Sequence, residues 1–325
     1  MPLPMTRTAA ALGLLFAAVI CAGNASAQQY PSRPIRMVLG FPPGGPVDDQ
    51  SRLIAQAGQE SLGQVMILDH KPGADGILAA DTVAKAAPDG YTVLMASSGF
   101  TTTPALHAKL PYDPIKGFSP VIQTTTSTST LVVHSSVLAR NLSELIALAK
   151  SQPGKINYGS VGIGSLPHLS SELFAGMAGI KLTHIPYKGA APAMTDLLGG
   201  QIQMIIGPMS ASIAHIRSGK VRALAVTNPQ RNVLIPDVPT IGESLPGFAV
   251  TSWYGMIAPG GTPSAVVSLL NREVGRILFL PAVKEKLVVI GLEPVGGSTL
   301  AFSGFVASEI QKWTKVARDA GIKPE

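Results

Sequence analysis

The chain is short of cysteine, aromatics, charge and long apolar runs, and each shortage removes a class of function. Its one cysteine, Cys21, lies inside a leader-like stretch, so the segment after the leader forms no disulfide and offers no thiol nucleophile. Aromatic residues make up 5% of the chain and charged residues 14%, with no run of Lys and Arg, which leaves neither stacking platforms nor a basic stripe for nucleic acid. The net charge of +6 is spread along the sequence and says little about partners. Beyond the leader, polar, proline or glycine residues interrupt every stretch of about eighteen residues, so no transmembrane helix is expected.

Catalytic and cofactor motifs are also missing. The 6 histidines include no HxxxH pair and no cysteine partner, so no metal site is expected. Gly162-Ile163-Gly164 lacks the third glycine and the acidic residue of a dinucleotide fingerprint, and no GxxxxGK[ST] loop occurs. Ser165 and His168 are neighbours in sequence, yet no GxSxG elbow surrounds the serine. The chain reads as a binding protein without cofactor or catalytic residue.

Residues 1–27 carry one Arg, no acid, an apolar run from Ala9 to Ala22 and a closing Ala25-Ser26-Ala27. That is the pattern of a cleavable secretory signal, with cleavage expected after Ala27 and a soluble periplasmic product. Ile20 stands before Cys21 where a lipoprotein signal carries a small residue, which argues against a lipid anchor.

The chain then alternates strand, turn and helix. Ile35 to Leu39 reads as a buried strand, stopped by Pro42-Pro43-Gly44-Gly45-Pro46, and a helix begins near Val47. Such a helix start carries unpaired N–H groups and partial positive charge, so it can hold a carboxylate, or it can be a plain tight connection. Val65–Leu68, Ile77–Ala87 and Tyr91–Ala96 continue as strand, helix and strand, followed by a loop from Ser97. The alternation implies a helix-wrapped parallel sheet with its ligand beyond the carboxyl ends of the strands. A β-branched tract, Gln123 to Thr130, reads as an extended crossover. Asn141 with Glu144 reads as a helix cap.

The pattern repeats around Ile156–Ser165 and Thr183–Gly189, which implies a second wrapped parallel sheet. Thr251–Ile257 reads as a return strand, and Pro263–Leu278, Pro281–Ile290 and Thr299–Ala320 as helices. Leaving one lobe near 128 and re-entering near 250 makes a hinge of two crossings with a cleft between lobes. The expected organisation is a signal at 1–27, a first lobe at 28–128 plus 250–325, and a second lobe at 129–249.

Strings along nearly the whole chain carry a family resemblance: YPSRPIR, FPPGGPVD, KPGADG, KAAPDGYT, LPYDP, PGKINYGS, HLSSELF, HIPYKGAAPAMTDLLGGQI, GKVRALAVT and LIPDVPTI. Taken in order, they make the chain resemble the Bug or TctC-like extracytoplasmic solute receptors of tripartite tricarboxylate transporters. The resemblance implies an α/β, two-lobe periplasmic-binding-protein fold of venus-flytrap, type II-like form. It also implies capture of a small organic acid through backbone amides, hydroxyls and waters, and delivery to membrane permease subunits. A receptor that presents its acid to a sensor kinase would use the same cleft.

By resemblance, Phe41, Pro43, Gly44 and Gly45 form a first-lobe carboxylate turn, with Asp48 at the helix start. Ser97, Ser98 and Thr101 line the neighbouring loop. Ser160, Gly162, Gly164, Ser165 and His168 face them from the second lobe, with Tyr187 and Gly207 beside the cleft. Asp48 either accepts an ammonium or complements its helix. His168 either donates to a carboxylate or packs beneath its loop. Trp253 and Tyr254 either stack on ligand or fill the hinge core. Lys188 reads as a solvated lysine.

Some positions depart from the family pattern. Val47 replaces the usual Thr, Gly207-Pro208-Met209 replaces a loop that commonly carries an acid or amide, Asp75 replaces Gly and Ile77 replaces Asn. The lost polar groups point to a less polar ligand, an aromatic or branched acid.

Overall fold

The computed structural model describes residues 30–73 and 76–324. The expected signal at 1–27, Cys21 and the departure at Asp75 lie outside the described residues.

The first sheet is built from β1 (Ile35–Leu39), β2 (Met66–His70), β3 (Thr92–Ser97), β4 (Phe118–Ser127), β10 (Ser252–Pro259) and β11 (Glu293–Gly296), in the order β11-β4-β10-β3-β1-β2. Helices α1 (Pro46–Leu62), α2 (Ile77–Ala84), α3 (Gly99–Leu106), α9 (Ser264–Leu278), α10 (Pro281–Val289) and α11 (Thr299–Asp319) surround it. The second sheet holds β5 (Ser129–His134), β6 (Asn157–Ser160), β7 (Thr183–Pro186), β8 (Met204–Pro208) and β9 (Val221–Val226), in the order β7-β6-β8-β5-β9. Its helices are α4 (Leu142–Ser151), α5 (Leu166–Ala178), α6 (Ala190–Leu198), α7 (Met209–Arg217) and the short α8 (Ile241–Ser244).

Both sheets are mixed, which corrects the expectation of two parallel sheets. In the first, β1 runs parallel to β2 and β3 while β10 runs antiparallel to β3 and β4. In the second, β6 runs parallel to β7 and β8 while β5 runs antiparallel to β8 and β9. The reversals follow from the crossings. The chain leaves the first sheet at the carboxyl end of β4, so β5 must enter the second sheet from that side, against β8. On its return β10 enters beside the carboxyl ends of β1 and β3 for the same reason. The two sheets therefore turn the carboxyl ends of their parallel strands toward the same crossings.

The polar tract Gln123 to Thr130 crosses extended from the first sheet to the second, each strand pairing within its own sheet. It ends β4, passes Thr128 and begins β5. Thr124 and Thr125 are fully buried, and their hydroxyls donate to Gln50 Oε1 at 2.8 and 3.0 Å. Satisfying polar groups in this way is what lets so hydrophilic a stretch run through a core.

Apolar side chains pack on both faces of each sheet. Met37, Ile54, Ile122 and Leu270 are among those on one side of the first, with Val38, Leu94, Trp253 and Phe302 on the other. Leu131, Leu145, Phe174 and Ile206 belong to the main second-sheet cluster, and Val132, Leu197 and Ile205 to the smaller one. Helix α11 joins the two bodies: Phe302, Val306 and Ile310 pack in the first, while Trp313, Val316 and Ala317 pack in the second. Trp253 has no exposed surface and lies edge-on to Phe302 and Phe305, so it fills the core beneath this helix rather than facing a ligand.

Candidate functional site

The turn after β1 is held by Asp48. Pro42, Pro43 and Pro46 stop the strand, and α1 starts at Pro46, whose missing N–H costs nothing in a first turn. Gly44 takes a positive φ of 89° and donates its N–H to Asp48 Oδ2 at 3.0 Å. Arg52 Nε donates to the same oxygen at 2.9 Å, and His70 Nε2 lies 2.8 Å from Oδ1. Burial pulls the Asp48 pKa upward, but the bonds from Arg52, Gly44 and His70 outweigh it and hold the carboxyl down at about 2.

Asp48 is 3% exposed and each of its oxygens already has a protein partner, so it ties the turn to the helix. The N–H of Gly44, expected to meet a carboxylate, is already given to Asp48. No side chain caps α1, and the amides of Val47 and Asp48 have no acceptor within the helix because of where they sit in its first turn. Phe41, Pro43 and Gly44 are exposed beside this start, and Gly45 is half-buried.

Helix α3 begins at Gly99, immediately after β3, where a loop was expected. Its geometry redirects two expected hydroxyls. Ser98 Oγ accepts the Trp253 N–H at 2.9 Å, and Thr101 is fully buried with its hydroxyl donated to Ser98 O at 2.9 Å. Both therefore support the hinge strand β10 and the helix start instead of facing a ligand. Ser97 stays half-buried and lines a small cavity with Phe41, Phe100 and Tyr112.

Across the crossings, the loop after β6 bonds mainly to itself. Ser160 Oγ donates to Gly162 O at 2.9 Å and accepts from Gly162 N at 3.2 Å. His184 Nε2 lies 2.7 Å from the same oxygen. Ser165 Oγ donates to Gly162 O at 2.7 Å and receives the His168 N–H at 3.4 Å, capping α5. His168 Nδ1 accepts the Gly164 N–H at 2.8 Å. The expected polar groups Ser160, Gly162, Gly164 and Ser165 are thus gathered in one loop, with their hydroxyls and the Gly162, Gly164 and Ser165 amides bonded within the protein, and His168 lies in the first turn of α5 behind it.

His168 is 5% exposed and packs beneath that loop with Nδ1 occupied by the Gly164 N–H. Its ring stacks on His184 with centroids 3.9 Å apart, and His184 stacks on Tyr158 at 4.9 Å. Burial, then the His184 charge, pushes the His168 pKa down to about 4. Tyr187 donates its hydroxyl to Asp196 Oδ2 at 2.7 Å; burial and that bond push its pKa up to about 12. Its ring lies against Gly159. Gly207 pairs with Thr130 and borders a second cavity with Ser160 and Val161.

Sequence reading does not reach Arg52, His70, Tyr158 or His184. Arg52 has a local signal, four residues after Asp48 on one helix face. His184 is legible only through the register that sets it beside Tyr158. Among the described residues no cluster of metal-ligating side chains occurs, and no helix is long and apolar enough to cross a membrane.

Comparison with known proteins places this geometry in a wider set. Residues 51–322 match a model described as the tripartite tricarboxylate transporter family receptor. Protein BugT of Bordetella pertussis is 38% identical over 322 residues, covering 98% of this chain and 99% of BugT. The solved structure of R. palustris Rpa4515 with adipate aligns with a TM-score of 0.76 at 38% identity, covering 91% of this chain and 100% of that one. MatC of Rhodopseudomonas palustris with bound malate aligns with a TM-score of 0.72 at 33% identity, covering 88% of this chain and 99% of MatC.

Proposed function

The chain belongs to the tripartite tricarboxylate transporter receptor family, and from that premise we propose that it captures a small organic acid between its lobes in the periplasm and delivers it to the membrane subunits of such a transporter. The observation that carries this reading is the convergence of strand ends. The carboxyl ends of β1 and β3 and those of β6 and β8 meet the same pair of crossings, where an α/β fold builds ligand sites. The adipate and malate complexes of related proteins support a carboxylate as the ligand.

In this reading the acid's carboxylate sits at the start of α1, on the amides of Gly45, Val47 and Asp48 with the Ser97 hydroxyl beside them. The helix start supplies unpaired backbone donors; Asp48 and Asp49 in its first turn oppose its partial positive charge, and Arg52 in turn pairs with Asp48. The second lobe closes on the other side through the Ser160–Ser165 loop, Tyr187 and Gly207. Titration calorimetry of residues 28–325, unfolded and refolded to remove carried ligand, tests the proposal. Saturable heat with at least one mono-, di- or tricarboxylate is expected; absence of heat across all three groups overturns it.

A further inference from the structure

Resting on that reading, we infer that the second lobe seats an uncharged, apolar end of the ligand, so that this receptor prefers a monocarboxylate to the diacid of the same carbon length. The inference comes from the cavity at the carboxyl ends of β6 and β8. Val161, Ala190, Met194, Ile205, Pro208 and Ala211 are among the apolar residues of its wall. Its free volume is about 20 Å³, room for one water-sized or methyl-sized group. No charged side chain lines it.

The polar side chains that do reach the cavity are committed elsewhere. Thr130 Oγ1 and Ser212 Oγ bond each other at 2.8 Å, and Ser212 Oγ also donates to Met209 O at 3.2 Å. Ser160 Oγ is held by Gly162 and His184. A carboxylate entering here would find no counter-charge and no side-chain hydroxyl donor to replace its lost water, whereas a methyl group would lose nothing.

The helix starts that border the cavity are also depleted of donors. Pro167 removes one N–H from the first turn of α5, and Pro192 removes one from α6. The first N–H of α7, on Met209, is bonded to Thr128 O at 3.0 Å. In the adjoining loop the amides of Gly162, Gly164 and Ser165 are already donated within the protein. An anion-binding terminus needs several amides aimed at one point, and these three helices have each given up part of that set.

The test is titration calorimetry of refolded residues 28–325 with matched pairs that differ only in the distal group: butyrate and succinate, valerate and glutarate, hexanoate and adipate. At the chain length that binds best, the monoacid is expected to bind about tenfold tighter or more, a difference of about 1.4 kcal/mol. Ala211→Arg, which puts a cation at the half-buried cavity rim, should narrow or reverse that ratio, with its circular dichroism melt showing that it folds. A diacid that binds more tightly than its monoacid partner in the unaltered protein overturns the inference and leaves the receptor reading standing. Failure of every acid to bind overturns both. The ratio in the unaltered protein decides the matter even where Ala211→Arg does not fold.

Discussion

At the scale of single residues, two groups tie the turn before α1 and the loop after β6 to pH. Asp48 is ionised in the folded protein down to about pH 2, so the stability it lends is present above its unfolded pKa near 4 and is lost as pH falls toward 2. His168 has its pKa depressed to about 4, so the folded state binds fewer protons than the unfolded one between about pH 6.5 and pH 4. Its contribution is present above the upper limit and is lost as pH falls through that window. Protonation at Nδ1 would also displace the Gly164 N–H. Urea unfolding at stepped pH should show a decline in both windows. His168→Gln should flatten the upper one and Asp48→Asn the lower one, and unchanged slopes in these variants would contradict the assignment. Asp48 could be read from the sequence as an acid at a helix start, but not as the anchor of Gly44. The bonds to Gly44 and Arg52 are local, four residues to either side, but His70 reaches Asp48 Oδ1 from β2, a tertiary approach with no local signal.

At the scale of elements, the sequence was most legible where the chemistry is local. Asn141 caps α4 by accepting the Glu144 N–H at 2.9 Å, and Glu144 in return takes the Arg140 N–H at 2.7 Å. Proline and glycine marked the turns that end β1 and open α5. The mixed direction of each sheet was not legible, because strand direction is fixed by which side the chain enters from. The loop after β6 joins the two levels. Gly164 has a positive φ of 75°, and a Cβ there would lie 2.4 Å from Leu106 Cδ1 at the end of α3. Gly164→Ala is therefore expected to cost about 1–3 kcal/mol in backbone strain and contact, and to weaken acid binding by displacing the loop. Chemical denaturation and titration of the same variant check both effects. Unaltered stability and affinity would show that the close approach is not needed.

At the scale of the molecule, the two sheets are joined by more than the two crossings expected from sequence. Ala105 of α3 and Trp313, Val316 and Ala317 of α11 lie in the second sheet's core cluster, so α11 begins on one body and ends on the other. Asn232 Nδ2 adds a polar tie, donating to Thr128 Oγ1 and to Glu293 Oε1, each at 3.0 Å. These contacts lie beside the crossing strands at Thr128 and Val250, where Val250 N donates to Thr227 O at 2.9 Å. Rotation about that hinge would change the distance between the α1 start and the Ser160–Ser165 loop while leaving each sheet intact. An acid that touches both sides then draws the lobes together, because part of its contact set exists only in the closed form. Small-angle scattering of residues 28–325, with and without a saturating acid identified by titration, tests this central claim most directly. A smaller radius of gyration with the acid bound is the expected result, and superimposable curves would contradict it.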